Sequence, residues 1–122
     1  MIRPAYYIDK YSSLYKVAVE RNWNAYIFDC AKRLERAEKK GNFVQDIEKT
    51  ITVIQLLRSE QRPLNWIKRV YNRLFIEPSI QSLLIVFEQR KWDSHVFEIV
   101  FELEKGNYET AIEVCIRYQN SF

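Results

Sequence analysis

The chain has 122 residues, of which 48% are hydrophobic, 29% charged and 15% aromatic, and its net charge is +3. These values predict a single globular domain, residues 1–122, and exclude an intrinsically disordered chain. The longest apolar run, Leu83–Phe87, is far shorter than the ~20 residues of a membrane span, so no membrane association is predicted. With only 2 glycines and 3 prolines, the chain also lacks the turn residues of an all-β domain.

Apolar residues at helical spacing predict a first helix from Pro4 to about Arg21. Asn22 is expected to end it in the left-handed conformation, and Asn24 is a good N-cap for the second helix. That helix is expected to end at Gly41, because glycine tolerates the backbone conformation that closes a helix.

The middle of the chain predicts three further helices. The apolar stripe from Val44 to Ser59 predicts the third, although its content of β-branched residues weakly opposes a helix. Pro63 is predicted to open a fourth helix, because proline suits a first helical turn and disrupts a helix interior. Pro78 is predicted to end that segment and to open a fifth helix.

Two patterns compete in the last third of the chain. Apolar residues at every second position from Phe97 to Leu103 and from Tyr108 to Tyr118 predict a β-hairpin that turns at Lys105-Gly106-Asn107. Helical spacing fits the same residues, with an apolar stripe that includes Tyr108, Ala111 and Cys115. Periodicity alone does not decide between these structures.

An internal echo favours helices. The stretch RNWNAYIFDCAKRLERAEKKGNF from Arg21 is similar to RKWDSHVFEIVFELEKGNY from Arg90. The matched positions are Trp23 with Trp92, Asn24 with Asp93, Phe28 with Phe97, Leu34-Glu35 with Leu103-Glu104, Gly41-Asn42-Phe43 with Gly106-Asn107-Tyr108 and Ile47-Glu48 with Ile112-Glu113. The first copy is strongly helical in composition, so the same structure is predicted for the second. Each tryptophan precedes a helix cap, where it is expected to be buried.

The segment ELEKGNYETAIEVCIRY, residues 102–118, resembles the turn and second helix of a tetratricopeptide-type repeat. Gly106, Asn107, Tyr108, Ala111 and Ile112 carry the resemblance. The copy at Gly41-Asn42-Phe43 resembles this repeat less well, because Asp46 occupies the position that corresponds to Ala111. The copies lie about 65 residues apart rather than the 34 of that family, so no regular array is predicted. The resemblance implies helical hairpins and a protein-binding role.

The patterns together predict an all-α fold, a compact bundle of five to seven short helices arranged as antiparallel hairpins. The alternative is an α+β fold with a small antiparallel sheet in residues 80–118. The two cysteines, Cys30 and Cys115, are far apart and form no CxxC motif, which predicts a reducing, cytoplasmic location. The first ten residues contain charged side chains and no apolar run, so no secretory signal is expected.

Residues that could perform catalysis are sparse. The single histidine, His95, has no nucleophile near it in sequence and is interpreted as a packing residue. Glu98, Glu102, Glu109 and Glu113 have helical spacing, which could build a metal site, but without histidines a solvated acidic face is the better interpretation. The two glycines are isolated and form no phosphate loop. The sequence therefore predicts a protein that is not an enzyme and has neither a metal site nor a cofactor.

The strongest functional signal is a basic helix face. Residues 58–76 contain five basic side chains and one acidic side chain, a net charge of +4. The predicted partner-binding residues are Arg62, Asn65, Trp66, Lys68, Arg69 and Arg73. Guanidinium groups bind carboxylates, and Arg and Asn also contact phosphates and base edges.

A protein with an acidic surface is the preferred partner. The whole chain is only weakly basic, and residues 77–122 carry eight acidic and four basic side chains, so their net charge of −4 would repel a nucleic acid. The predicted function is a non-catalytic intracellular interaction or adaptor module that uses the basic helix face and the surplus of surface aromatic residues. The alternative is a nucleic-acid-binding protein that acts through residues 62–75. The sequence also allows the chain to form a small homo-oligomer.

Overall fold

The computed structural model describes the backbone of residues 13–75 and 80–121 and the side chains of residues 14–60 and 80–121. Six α-helices lie within these ranges: α1 (Ser13–Glu20), α2 (Ala25–Ala37), α3 (Phe43–Phe75), α4 (Ile80–Gln89), α5 (Ser94–Glu104) and α6 (Tyr108–Ser121). The predicted all-α bundle is confirmed. The start of the first helix at Pro4 and the role of Pro78 lie outside the described residues.

The alternative sheet in residues 80–118 is wrong, because α4, α5 and α6 occupy this region and the described chain there contains no strand. The burial pattern of α5 explains why apolar residues at every second position wrongly suggested a strand. Its buried side chains follow helical spacing: Val96, Ile99, Val100 and Leu103. The alternating phenylalanines Phe97 and Phe101 are also partly buried against the core. Because most of the helix circumference is apolar, a period of two coexists with the helical period.

The prediction that Pro63 opens a separate helix is also wrong, because α3 continues without a break from Phe43 to Phe75. An interior proline costs a helix about 3 kcal/mol, since it lacks an N–H donor and its ring crowds the preceding turn. The stretches on both sides, LLRSEQR and LNWIKRVYNRL, consist mainly of residues with good helix propensity. Their combined preference outweighs a single unfavourable position.

The two helix-to-helix turns that precede the tryptophans have the same structure. Asn22 and Lys91 both adopt the left-handed conformation, with φ of 58° and 54°. In each turn the tryptophan N–H reaches back five residues, from Trp23 to the Ala18 carbonyl at 2.9 Å and from Trp92 to the Phe87 carbonyl at 3.1 Å. This is the hydrogen bond of a Schellman motif, which satisfies a carbonyl at the end of a helix. The expected conformation of Asn22 is confirmed.

The next helices begin with the predicted caps. The Asn24 side chain accepts a hydrogen bond from the Ile27 N–H at 2.9 Å, and Asp93 accepts one from the His95 N–H at 2.8 Å. These bonds satisfy two N–H groups that a helix cannot satisfy internally. The caps and the turns therefore set the starts of α2 and α5 in the same way.

The helices form two halves that follow the sequence echo, a first half of α1, α2 and α3 and a second half of α4, α5 and α6. Within each half, consecutive helices pack against each other. Across the halves, each helix packs against its counterpart, α1 against α4, α2 against α5 and α3 against α6. The core is formed by side chains of both halves and includes Leu34, Ile47, Leu83, Ile99 and Val114, all nearly or fully inaccessible to solvent.

Candidate interaction surface

The residues predicted to bind a partner all lie on the C-terminal part of α3. They are Arg62, Asn65, Trp66, Lys68, Arg69 and Arg73. Their side chains lie outside the described residues, so the basic helix face stays a prediction. The described side chains show two other features that sequence reasoning missed, a pair of buried ion-pair clusters and an exposed apolar patch.

The first ion-pair cluster joins the first half to Glu104 of the second half. The Arg21 guanidinium donates two hydrogen bonds to this carboxylate, at 2.5 Å from Nε and 2.7 Å from Nη2. Trp23 Nε1 donates a third at 2.5 Å. The side chains of Arg21 and Glu104 are only 3% and 12% exposed. We call these three residues the first clamp. Such a fork-to-fork pair is both strong and geometrically specific.

A second clamp consists of Arg90, Trp92 and Glu35. It has the same arrangement as the first clamp, with the roles of the two halves exchanged. The guanidinium of Arg90, in the second half, binds both oxygens of Glu35 in the first half, and its Nη2 bond measures 2.9 Å. Trp92 Nε1 donates to the same carboxylate at 3.2 Å. Both charged side chains are 10% exposed. The sequence echo already aligned both tryptophans and both glutamates, but only the folded chain shows that each half binds the glutamate of the other.

The burial of the two tryptophans agrees only in part with the prediction. Trp92 is buried, as predicted, whereas Trp23 is only partly buried at the edge of the core. Both indole N–H groups have a carboxylate acceptor, which buried indoles require. The tryptophans therefore act as hydrogen-bond donors between the halves as well as packing residues.

The exposed apolar patch lies on the packed helices α1 and α4. Its five large side chains are 41% to 81% exposed: Tyr15, Val19, Ile80, Leu84 and Ile85. Arg21 Nη1 donates to Ser82 Oγ at 2.5 Å, which places the end of α1 beside the start of α4. Tyr15 is held by stacking on Phe28, with 4.7 Å between ring centroids. Large apolar side chains that are exposed on neighbouring helices are available for contact with a partner protein.

The acidic residues on α5 and α6 bind nearby polar and basic groups. Glu98 binds Arg117 at 3.3 Å, and Glu102 binds both Lys105 and the Asn107 amide, at 3.0 and 2.9 Å. Within the described residues, no group of three or more His, Cys, Asp or Glu side chains is arranged to hold a metal ion.

His95 lies in a packing environment. Its ring stacks on Tyr118 with 4.9 Å between centroids, and its Nδ1 lies 2.6 Å from the Asp93 carboxylate. The Tyr118 hydroxyl in turn donates to Glu38 at 2.9 Å. Burial and this bond to a carboxylate raise the pKa of Tyr118. The contacts fit the interpretation of His95 as a packing histidine.

The two cysteines are buried thiols. Burial raises the pKa of both groups, that of Cys115 to about 12, and the neighbouring Cys115 further raises the pKa of Cys30. No Cα atom of α2, which carries Cys30, lies within 8 Å of one in α6, which carries Cys115. A disulfide needs Cα atoms within about 7 Å, so these thiols cannot form one in the folded chain.

Comparison with models of protein families, with curated proteins and with solved structures gives no match for this chain. The resemblance to tetratricopeptide-type repeats therefore stays a prediction. None of the helices in the described part of the chain is both long enough and apolar enough to cross a lipid bilayer.

The buried thiols predict a loss of stability at alkaline pH. In the unfolded chain a thiol ionises near pH 8.5, whereas the folded chain keeps the proton because burial raises both pKa values. The unfolded state therefore binds fewer protons above pH 8.5, and the free energy of unfolding falls as pH rises. We expect a loss of about 1 to 2 kcal/mol per thiol between pH 7 and pH 10, measured by urea denaturation.

The control is the double variant Cys30→Ala and Cys115→Ala. It should be less stable than wild type at pH 7, but its free energy of unfolding should fall less between pH 7 and pH 10. An equal loss in variant and wild type would contradict the prediction.

Proposed function

We propose that this protein is a non-catalytic protein–protein interaction module whose partner binds the apolar patch on α1 and α4. The observation that carries this proposal is the grouping of Tyr15, Val19, Ile80, Leu84 and Ile85 on two adjacent helices. Val19 is 81% exposed, the largest value among the large apolar side chains of the described residues. Burial of exposed apolar side chains against a partner provides the main favourable free energy of association.

The partner we propose combines an apolar surface with carboxylate groups. The apolar part would bind the patch, and the carboxylates would bind the basic residues of α3, Arg62, Lys68, Arg69 and Arg73 among them. The net charge of +4 over residues 58–76 supports this choice. Arginine is enriched at protein interfaces because its guanidinium forms paired hydrogen bonds with carboxylates. The resemblance to tetratricopeptide-type repeats supports the same class of function.

The location we propose is the cytoplasm. Both cysteines are free and buried, and their helices are too far apart to form a disulfide. A chain with unpaired cysteines fits a reducing compartment better than an oxidising one.

The experiment that tests the patch uses charged substitutions and a matched control. Val19→Glu combined with Leu84→Glu places two carboxylates in the patch, whereas the control, Val44→Glu combined with Ile116→Glu, changes two exposed apolar residues on α3 and α6. A partner is first identified by affinity capture from the native source and mass spectrometry, and its affinity is then measured with purified proteins. We expect the double variant to bind at least ten-fold more weakly and the control to bind as wild type. Unchanged affinity of the double variant would contradict the proposal.

A second comparison separates the two classes of partner. Arg69→Glu with Arg73→Glu should weaken binding in either case, because both residues lie on the predicted basic face. If the partner is a protein, we expect a shallow dependence on salt and no competition by homopolymeric nucleic acid. If it is duplex DNA, the log–log slope of affinity against salt should be about −0.9 for each phosphate neutralised. A steep slope would contradict the proposal of a protein partner and support the alternative function, the binding of nucleic acid.

A further inference from the structure

We propose that a basic face of α2 binds carboxylates of the partner protein, and that this face and the apolar patch form one continuous docking surface. The partner segment carries apolar side chains at one end and a cluster of Asp and Glu side chains at the other. This inference rests on the proposed function, because it concerns the same partner. We call the surface the α2 basic face and define it by five residues of α2 and the turn after it: Lys32, Arg33, Arg36, Lys39 and Lys40.

The α2 basic face lies on the side of the helix that the core does not use. The buried residues of α2 recur at helical spacing: Ile27, Cys30, Ala31, Leu34 and Ala37. Lys32, Arg33 and Arg36 fall on the other side of the same helix and keep part of their surface in contact with solvent. Lys39 and Lys40 are exposed. The five cations are therefore within reach of a partner.

The carboxylates of the same stretch leave most of this positive charge in place. Glu35 is held in the second clamp, and Glu38 accepts a hydrogen bond from the Tyr118 hydroxyl. Asp29 lies on the side of the basic residues, where it binds Arg33 at 3.2 Å. Asp29 and the five basic residues together give this surface a net charge of +4.

The α2 basic face also has hydrogen-bond donors to spare. Among the described residues, Arg36, Lys39 and Lys40 form no ion pair. The Nε–H groups of Arg33 and Arg36 are buried, and the described part of the chain offers them no acceptor. An arginine with unused donors binds a carboxylate favourably, because the bonds are charge-assisted and no internal pair has to break.

Helix α5, the counterpart of α2 in the second half, provides an internal comparison. At the distances from the preceding tryptophan where α2 has Lys32, Arg33 and Arg36, α5 and its C-cap have Phe101, Glu102 and Lys105. Glu102 binds both Lys105 and the Asn107 amide, so this carboxylate is satisfied within the chain. Because the equivalent helix folds without a basic face, the fold itself does not require the positive charge of α2.

Two stacked rings connect the α2 basic face to the apolar patch. Tyr15 belongs to the patch, and its ring stacks on Phe28 of α2 with 4.7 Å between centroids. Phe28 and Lys32 are four residues apart and are therefore neighbours on the helix surface, and Arg36 lies one turn further. From Phe28 to Arg36 the helix rises by about 12 Å. One short segment of a partner can therefore contact both the patch and the basic residues.

The charges beside the patch favour a protein segment over a nucleic acid or a lipid bilayer. Glu20 follows Val19 on α1, and Glu88 lies one turn after Leu84 on α4, and both carboxylates are exposed. Since Lys16 is the only basic residue of α1 and α4, these two helices have a net charge of −1. Nucleic acids and anionic bilayers carry negative charge throughout and would meet these carboxylates. A protein segment can confine its carboxylates to the end that contacts α2.

The test uses a displayed library of random peptides of about 16 residues, which span about 24 Å as a helix. The library is selected separately on the full wild-type chain and on the variant Arg36→Glu with Lys39→Glu. We expect peptides selected on wild type to have apolar residues at one end and an excess of Asp and Glu at the other. The variant should select peptides without this acidic excess. It should also bind the best wild-type peptide at least ten-fold more weakly, measured by fluorescence anisotropy.

The matched control reverses two basic residues of the second half, Lys105→Glu with Arg117→Glu. Both residues are already paired with carboxylates of the chain, so this variant should bind the peptide as wild type. Circular dichroism and thermal denaturation show whether each variant is folded. If the reversal at Arg36 and Lys39 prevents folding, the neutral variant Arg36→Gln with Lys39→Gln replaces it and should bind at least three-fold more weakly than wild type.

The outcomes distinguish this inference from the proposed function. Selected peptides that need Val19 and Leu84 but lack an acidic cluster, and that bind the α2 variants unchanged, would overturn the inference and leave the proposed function standing. Failure to select any peptide, or peptides that bind Val19→Glu with Leu84→Glu as tightly as wild type, would contradict both.

A final comparison checks the class of the anion. Wild type is titrated with vesicles that contain about 30% phosphatidylserine and with homopolymeric RNA. We expect neither to bind as tightly as the selected peptide. Tighter binding to either one, lost in the variant Arg36→Glu with Lys39→Glu, would assign the α2 basic face to a membrane or a nucleic acid and overturn the inference.

Discussion

Replacing Glu104 by alanine is expected to lower the free energy of unfolding by about 3 to 5 kcal/mol. The change leaves Arg21, whose side chain is 3% exposed, without the carboxylate that neutralises it, and it also removes the acceptor of the Trp23 N–H. Removal of one partner of a buried ion pair costs more than the pair contributes, because the guanidinium keeps its desolvation penalty and loses its carboxylate. Urea denaturation at pH 7 measures the loss.

Two comparisons make this result specific. Glu98→Ala removes one partner of an exposed pair, in which the side chains of Arg117 and Glu98 are 61% and 45% exposed, and it should cost less than about 1 kcal/mol. Replacement of both clamp partners, Arg21→Met with Glu104→Leu, should cost less than Glu104→Ala alone, because no buried charge is left behind. A loss at Glu104 as small as that at Glu98 would mean that the first clamp does not stabilise the fold.

Trp92→Ala is expected to cost about 3 to 5 kcal/mol, the usual range for a large buried aromatic residue. Trp92 is 5% exposed and belongs to the core that the halves share. Its removal leaves a cavity and deprives Glu35 of one donor. Trp23→Ala should cost less, because Trp23 is only partly buried. Thermal and urea denaturation of the two variants provide the comparison.

Trp92→Phe separates packing from hydrogen bonding. Phenylalanine fills most of the cavity but cannot donate to Glu35, so we expect a loss of about 1 kcal/mol. Losses below about 1 kcal/mol for alanine at both tryptophans would remove the structural interpretation of the sequence echo.

Local chemistry made much of the fold predictable. Asn22, Asn24 and Asp93 carry their own conformational and hydrogen-bonding preferences, so the turns and caps could be located from the sequence alone. The echo also predicted correctly that residues 94–104 are helical although they alternate in polarity. Pro63 was misinterpreted because a local rule about one residue was applied without the propensity of its neighbours.

The contacts between the halves were beyond local reasoning. Nothing in the sequence near Arg21 indicates that its partner lies 83 residues away, because that pairing depends on how the helices pack. The echo offered one usable signal, since an arginine precedes each tryptophan by two residues and a glutamate follows it by twelve. The apolar patch was equally hidden, because Leu83 and Leu84 are neighbours in sequence and only the packing of α4 shows which is buried and which is exposed.

The long sequence separation of the first clamp has a consequence for synthesis on the ribosome. Arg21 emerges from the exit tunnel long before Glu104 is translated, and the core of the first half lacks its complement during this interval. We therefore expect nascent chains that end before α5 to be protease-sensitive, and folding to begin only when most of the second half has emerged. Formation of such distant contacts requires closure of a long loop, whose entropic cost we expect to slow this step of folding. During that delay the apolar surface of the first half is exposed and prone to aggregation, and we expect a chaperone to protect it.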